Sequence, residues 1–192
     1  MKSKIFLASL LSATLSLAMD TNTTVSKEVS VKQEGLQYIK LLGETLKSEM
    51  QTYMKVDKSG LAAMGFCSAQ AQSITAVINA KLPQYASVRR TALKTRNEKN
   101  APDAIDTKVM QEYEASMKSK MFSPSDIKVV EEGSMTRIYK PIVTETACLK
   151  CHGNNVSKEI QSEIAARYPK DKAMAFKEGS FRGVIVAKIN KH

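Results

Sequence analysis

With 192 residues, 43% of them hydrophobic, the chain is long enough for one domain with its own core, and one is expected. Lys and Arg number 29 against 19 Asp and Glu, a formal charge of +10, and they are scattered without a block of five or six like charges. That distribution excludes a polybasic tail and fits a basic, soluble surface.

Met1-Lys2-Ser3-Lys4 precedes an apolar run over residues 5–17, and Ser16 and Ala18 supply the small residues of a cleavage point. This three-part pattern predicts a secretory signal peptide over residues 1–18, with the mature chain starting near Met19. The run falls short of the roughly 20 residues that a bilayer-spanning helix needs, so cleavage is expected rather than an anchor. A periplasmic address follows, and with it nucleic acid drops out as a partner. No later stretch is apolar enough to cross a membrane. Three cysteines in an oxidising compartment are an odd set, and one thiol needs an explanation.

Val25, Val29, Leu36, Ile39, Leu46, Met50 and Tyr53 recur at helical spacing and predict one amphipathic helix within residues 19–57. Gly35 and Gly43 each weaken it by about 1 kcal/mol relative to Ala. It must therefore gain stability by packing, either across the domain's own core or as the seam of a homodimer. Asp57-Lys58-Ser59-Gly60 breaks the pattern, and Ser59 is expected to cap a second helix running to about Lys81, before Pro83. On that helix Met64, Cys67, Ala71, Ile74 and Ile78 share one face, which would turn Cys67 into the core, where a small thiol is ordinary packing.

Residues 85–93 read as a short strand despite Arg89-Arg90, and residues 94–101 as a polar loop. Pro102-Asp103 opens a third helix, with Ile105, Val109, Tyr113 and Met117 four apart on one face. Residues 127–132 and 135–143 form two strands joined at Gly133-Ser134. Ser157 caps a short helix carrying Ile160 and Ile164 that ends at Tyr168-Pro169, and residues 181–189 close the chain as a strand with Val184, Ile185, Val186 and Ile189. Helices at the front and strands near enough to pair antiparallel give an α+β class, a small antiparallel sheet flanked by helices, in one domain over residues 58–192.

Directly after the hairpin stands Cys148-Leu149-Lys150-Cys151-His152. Two thiols that can add to vinyl groups, beside an imidazole that can ligate iron, are the pattern of a c-type haem attachment site. Two other chemistries use C-x-x-C. A redox dithiol usually sits within a βαβ unit, and none precedes Cys148. A structural zinc needs four ligands, which Cys67, Cys148, Cys151 and His152 could supply arithmetically. The adjacent histidine and the predicted export favour one covalently attached haem c.

His152 would then be the proximal ligand, with its other ring nitrogen on a carbonyl. His192, the last residue, is a poor second ligand. Opposite His152 that leaves Cys67, a methionine such as Met64, a lysine or an open site. A thiolate there would favour ferric iron and lower the potential, whereas a methionine would raise it. The propionates need charge-assisted partners, and Arg90, Lys94, Arg96 and Arg182 are candidates. No distal acid-base pair is evident, so no enzymatic activity is expected.

Arg90-Thr91-Ala92-Leu93-Lys94-Thr95-Arg96-Asn97, Asn100-Ala101-Pro102-Asp103, Cys148-Leu149-Lys150-Cys151-His152-Gly153, Tyr168-Pro169-Lys170-Asp171 and Gly179-Ser180-Phe181-Arg182-Gly183 follow one another in that order. Together they resemble the landmarks of the single-haem c-type proteins with a PAS-like sensor fold. Members occur as isolated exported proteins and as extracytoplasmic sensor regions of histidine kinases. The likeness runs over about residues 64–189. It implies a PAS-like antiparallel sheet, a covalently attached haem, His152 as one axial ligand and Cys67 as the other. The chain departs from the family at Ala92, where Ser is frequent, at Thr95 and Glu98, where Pro is, and at Ile105-Asp106, where an aromatic-Glu pair is. None of these touches the covalent site. Two uses are expected: a sensor of redox state or of a diatomic gas, acting through a partner protein, or a periplasmic electron-transfer cytochrome whose basic surface docks acidic partners.

Overall fold

The computed structural model describes residues 22–190, with side chains from Ser30 onward. The predicted signal peptide, the side chains of Val25 and Val29, and His192 lie outside that range.

Helix α1, Asn22–Val56, lays Val31, Ile39, Leu42 and Leu46 onto Ile138, Ile185, Ala187 and Ile189 of the sheet. Its two glycines mark where helix and sheet come closest. A Cβ at Gly35 would stand 2.6 Å from Ile138 Cδ1, and one at Gly43 would stand 3.0 Å from Ile185 Cδ1. From Val31 to Leu46 the stripe is thus covered by the domain's own core.

The predicted second helix is two: α2, Leu61–Ala69, and α3, Ala71–Lys81, meeting at a bend of 44°. Helix α2 packs on α1 and on the late helix α6, Lys158–Arg167, whereas α3 packs on strand β1, Ala86–Thr91. A straight rod cannot reach both surfaces. Phe66, stacked on Tyr53 of α1 at 5.1 Å, takes the buried place in α2 that the expected face gave to Cys67. The start of α2 also differs from expectation. Gly60, at φ 94, is the capping residue, and the Asp57 carboxylate accepts from the Ser59 and Ala62 N–H groups at 2.8 and 2.9 Å. Ser59 contributes by accepting from Leu61 N–H at 3.2 Å.

The sheet is antiparallel throughout, in the order β1-β4-β3-β2, with β2 Lys128–Glu132, β3 Met135–Val143 and β4 Phe181–Asn190. The closing strand β4 is therefore central, and Val184, Val186, Ala187 and Ile189 on it are fully buried. Helix α4, Ala104–Lys118, starts on an Asp103/Asp106 capping box and covers the other face, with Val109, Met110 and Tyr113 against Tyr139, Val184 and Val186. Its buried face is turned from the expected one. Ile105 is half-buried, and Asp106 is fully buried, where it meets Arg89, Arg137 and the Tyr139 hydroxyl.

Helix α5, Leu149–His152, is a single turn, and α6 begins at Ser157, whose hydroxyl accepts from Ile160 N–H at 3.3 Å. Met64 of α2 packs with Val156, Ile160 and Ile164, which ties α2 to the segment after the attachment motif. The result is the expected α+β, PAS-like architecture with a long N-terminal helix. Among the described residues no single helix is long and apolar enough to cross a membrane.

Candidate haem site

Between α1, α2, the end of β1 and α5 lies a cavity of about 320 Å³. Cys67, Arg90, Arg96, Cys148, Cys151, His152 and Arg182 all line it, as does Met64. Lys94 does not; it faces a second, smaller cavity across Phe176.

Local structure explains the convergence. The pleat of β1 sends neighbouring residues to opposite faces, so Arg89 goes to Asp106 beneath α4 and Arg90 goes into the cavity. After β3 the chain makes a tight turn at Thr146–Cys148 and then the single turn of α5. Residues three and four apart on a helical turn share a side, which brings Cys148, Cys151 and His152 to the same wall.

His152 Nδ1 lies 2.7 Å from the carbonyl oxygen of Ala173. A carbonyl only accepts, so Nδ1 carries the hydrogen and Nε2 is left with a free lone pair. This is the carbonyl partner expected for a ligating histidine. Burial, then the charges of Arg182 and Arg96, hold the His152 pKa well below the usual histidine range, so the ring is neutral at physiological pH. Phe176 sets its ring edge-on to the imidazole, centroids 6.3 Å apart, and donates its N–H to His152 O at 2.9 Å.

Cys67 is not in the core. It is exposed by area yet surrounded by protein, because what it is exposed to is the cavity. Burial pushes its thiol pKa up, while the charges of Arg90 and Arg96 act in the other direction. Burial likewise pushes Cys151 up to about 11.

A model of the Tll0287-like family matches residues 10–190 of the chain. The chain belongs to the Tll0287-like family. The crystal structure of the cyanobacterial haem protein Tll0287 has the same fold, with a TM-score of 0.58 at 21% identity over 90% of this chain and 98% of that one. Comparison with curated proteins found no match.

In this Tll0287-like chain the donor set separates the chemistries left open by C-x-x-C. Among the described residues no three His, Cys, Asp or Glu side chains come together closely enough to hold a metal ion, so the four zinc ligands counted from the sequence do not form a site. A haem iron asks only two protein ligands, one on each side. The cations fit the same group. Arg90 has no acceptor among the described residues, and Arg96 Nε is buried without a partner. Arg182 donates to Lys94 O at 3.2 Å and lies 4.9 Å from the Phe176 ring centre; burial and the neighbouring arginines push its pKa down to about 10. Asp171 is paired with Arg96 at 3.1 Å, and Glu145, the carboxylate on the cavity wall among the described residues, is paired with Lys47 at 2.5 Å. Cationic donors gathered on one wall, Arg90 among them without an acceptor of its own, suit an anionic ligand such as a pair of propionates.

Arg96 also has work the sequence did not suggest. Its Nη2 reaches Cys151 O at 2.7 Å and Ala173 O at 3.2 Å, so that nitrogen holds the protein rather than the cavity. Two contributions were missed outright. Helix α1, read only as packing, supplies Gly43, Leu46, Met50 and Met54 to the cavity wall. The segment 171–176, visible in the sequence only as the Asp171 landmark, wraps the attachment turn.

Proposed function

We propose that this member of the Tll0287-like family is an exported haem protein with one haem c bound through thioethers to Cys148 and Cys151, and that it senses redox state or a diatomic gas for a partner protein in the periplasm. His152 and Cys67 hold the iron from opposite sides. The observation that carries the reading is the shared cavity. Cys148 and Cys151 of C-x-x-C, His152 with its Nδ1 tied to Ala173 O, Cys67 and the cations Arg90 and Arg182 all line it. The haem-protein relative of the same fold supports it.

When bound, the haem would supply a redox-active iron able to exchange ligands, and His152 and Cys67 are the residues that would hold it. The chain does the rest. Ala173 fixes the tautomer of His152. Arg90, Arg96 Nε and Arg182 balance the propionate charge. Cys67 sits on α2, which is locked to α1 through the Phe66–Tyr53 stack and to α6 through Met64. A change of ligation at Cys67 therefore moves a helix that reaches the surface, where a partner can read it.

Intact-mass measurement of the protein exported from a host with haem-attachment machinery tests the first claim. The wild type gains the mass of one haem and loses that of the signal peptide, whereas Cys148→Ala/Cys151→Ala gains no haem; absence of the gain in the wild type overturns the reading. Reduced-minus-oxidised spectra with and without carbon monoxide or nitric oxide test the second. A sixth position closed in both states removes gas sensing and favours an electron carrier. A Cys67→Ala protein with an unchanged potential and spectrum removes Cys67 as ligand.

A further inference from the structure

We propose that Arg96 is the positioning residue of the attachment site: with Asp171 it pins residues 171–176 as a strap across His152, so that the imidazole keeps one orientation. The inference rests on the proposed function only for what the fixed ring is used for. The strap itself is visible in the hydrogen bonds.

Arg96 Nη2 lies within bonding reach of Cys151 O in the attachment turn at 2.7 Å, and of Asp171 Oδ2 and Ala173 O in the strap at 3.1 and 3.2 Å. Its two hydrogens are shared among three oxygens that belong to both halves of the site. The Asp171 carboxylate uses its other oxygen to accept from Ala173 N–H at 2.8 Å, which shapes the turn that presents the Ala173 carbonyl. That carbonyl is the acceptor for His152 Nδ1–H at 2.7 Å. One guanidinium, one carboxylate and one carbonyl thus connect Cys151 to the ring of His152 without a gap.

The strap needs such a pin. Ala175 stands at φ 63, in the left-handed region that a residue with a Cβ adopts only at a cost. Its other ties are backbone bonds, Lys172 N–H to Thr95 O at 2.8 Å, Ala175 N–H to Gly153 O at 3.4 Å and Phe176 N–H to His152 O at 2.9 Å, together with the packing of Met174 and of the Phe176 ring. The Arg96 and Asp171 side chains are only 9% and 7% exposed. A pair buried that deeply contributes little net stability but fixes geometry, because leaving either partner alone is costly. Arginine suits this buried place better than lysine: its guanidinium is more weakly hydrated and keeps its charge, whereas a buried ammonium readily loses its proton.

The chain has only two histidines, so [15N]histidine-labelled full-length protein gives a ring N–H signal assignable to His152. Exchange of that ring proton with solvent, followed by NMR on the reduced protein as isolated, reports opening of the strap. Arg96→Lys and Asp171→Asn are each expected to speed it about tenfold, the loss of one charge-assisted hydrogen bond. Arg167→Lys, at an exposed helical pair with Glu163, is expected to leave it unchanged. Wild-type exchange in both site variants overturns the proposal. So does restoration by Arg96→Lys of what Arg96→Gln loses, since charge alone would then suffice, and so does an equal acceleration of the slowest β4 amides, which marks a global loss of stability. Asp171→Asn keeps the test open should the Arg96 variants not fold. Absence of covalent haem in the wild type overturns the proposed function and leaves this comparison standing.

Discussion

Replacing Gly35 by alanine probes how closely α1 rides on the sheet that floors the cavity. The new Cβ would lie 2.6 Å from Cδ1, 2.9 Å from Cγ1 and 3.2 Å from Cβ of Ile138. Carbon pairs prefer about 3.5–4.0 Å, so the contact is short by about 1 Å. A rotamer change of Ile138 does not relieve it, because its own Cβ is among the close atoms and the residue is fully buried. The helix must lift or the strand must give, and such overpacking costs about 1–3 kcal/mol.

Against that stands a helix-propensity gain of about 1 kcal/mol for Gly to Ala, which leaves a net loss of up to about 2 kcal/mol. Gly65 is the internal control: it lies inside α2 with nothing within 4 Å of its added Cβ, so Gly65→Ala should keep the whole gain. At about 2–4 °C per kcal/mol for a chain of this size, Gly35→Ala lowers the Tm while Gly65→Ala raises it by about 2–4 °C. Thermal melts and urea titrations read both, with an unchanged m-value showing that the native state has been displaced in energy and not in compactness. If the two alanines move the Tm in the same direction, the close approach of α1 to Ile138 is wrong.

Asp106→Ala removes a fully buried carboxylate from Arg89, Arg137 and Tyr139, and is expected to cost about 3–5 kcal/mol in urea titrations because it strands buried charge, with the haem spectrum of the folded protein unchanged. Asp57 gives a pH prediction. The Ser59 hydroxyl, then the Ala62 and Ser59 N–H groups, hold its carboxyl down to about 2. A depressed carboxylate stabilises fully above its unfolded value of about 3.9 and loses that contribution as pH falls through its folded value. Melting curves of Asp57→Asn between about pH 5 and pH 2 should therefore fall less steeply than those of the wild type, and parallel curves would refute the capping role.

What the sequence revealed follows the range of the forces involved. Capping is local, so Asp103 and Ser157 as helix starts were legible, and so was the turn at Gly133, whose φ of 59 glycine adopts freely. Alternation marked all four strands. It could not show that the last of them is central, because pairing order depends on contacts far apart in the chain. The run from Leu61 to Lys81 was unbroken in periodicity, with no Pro to stop it, yet it bends at Gln70 because its two halves pack on different partners. The turned face of α4 has the same origin: a carboxylate at Asp106 reads as solvated until arginines from β1 and β3 are seen to meet it.

The site shows where such reading stops. C-x-x-C-H carries its geometry within five residues, so its thiols and imidazole could be placed together from spacing alone. Cys67 could be singled out because an odd thiol in an oxidising compartment needs a use, but helical periodicity assigned it to the core. The bend at Gln70 is what resolves the conflict. It lets Phe66 of α2 turn to Tyr53 of α1 while Ala71 and Ile78 of α3 stay in the main core. The next residue, Cys67, then faces the cavity instead of competing for buried space. A core thiol would be inert packing, whereas a thiol on the cavity wall beside Arg90 is available to an iron. Periodicity read across both helices assigned Cys67 a face that α2, packed on α1 and α6, does not bury, and it is on that helix that the proposed second ligand meets the cavity.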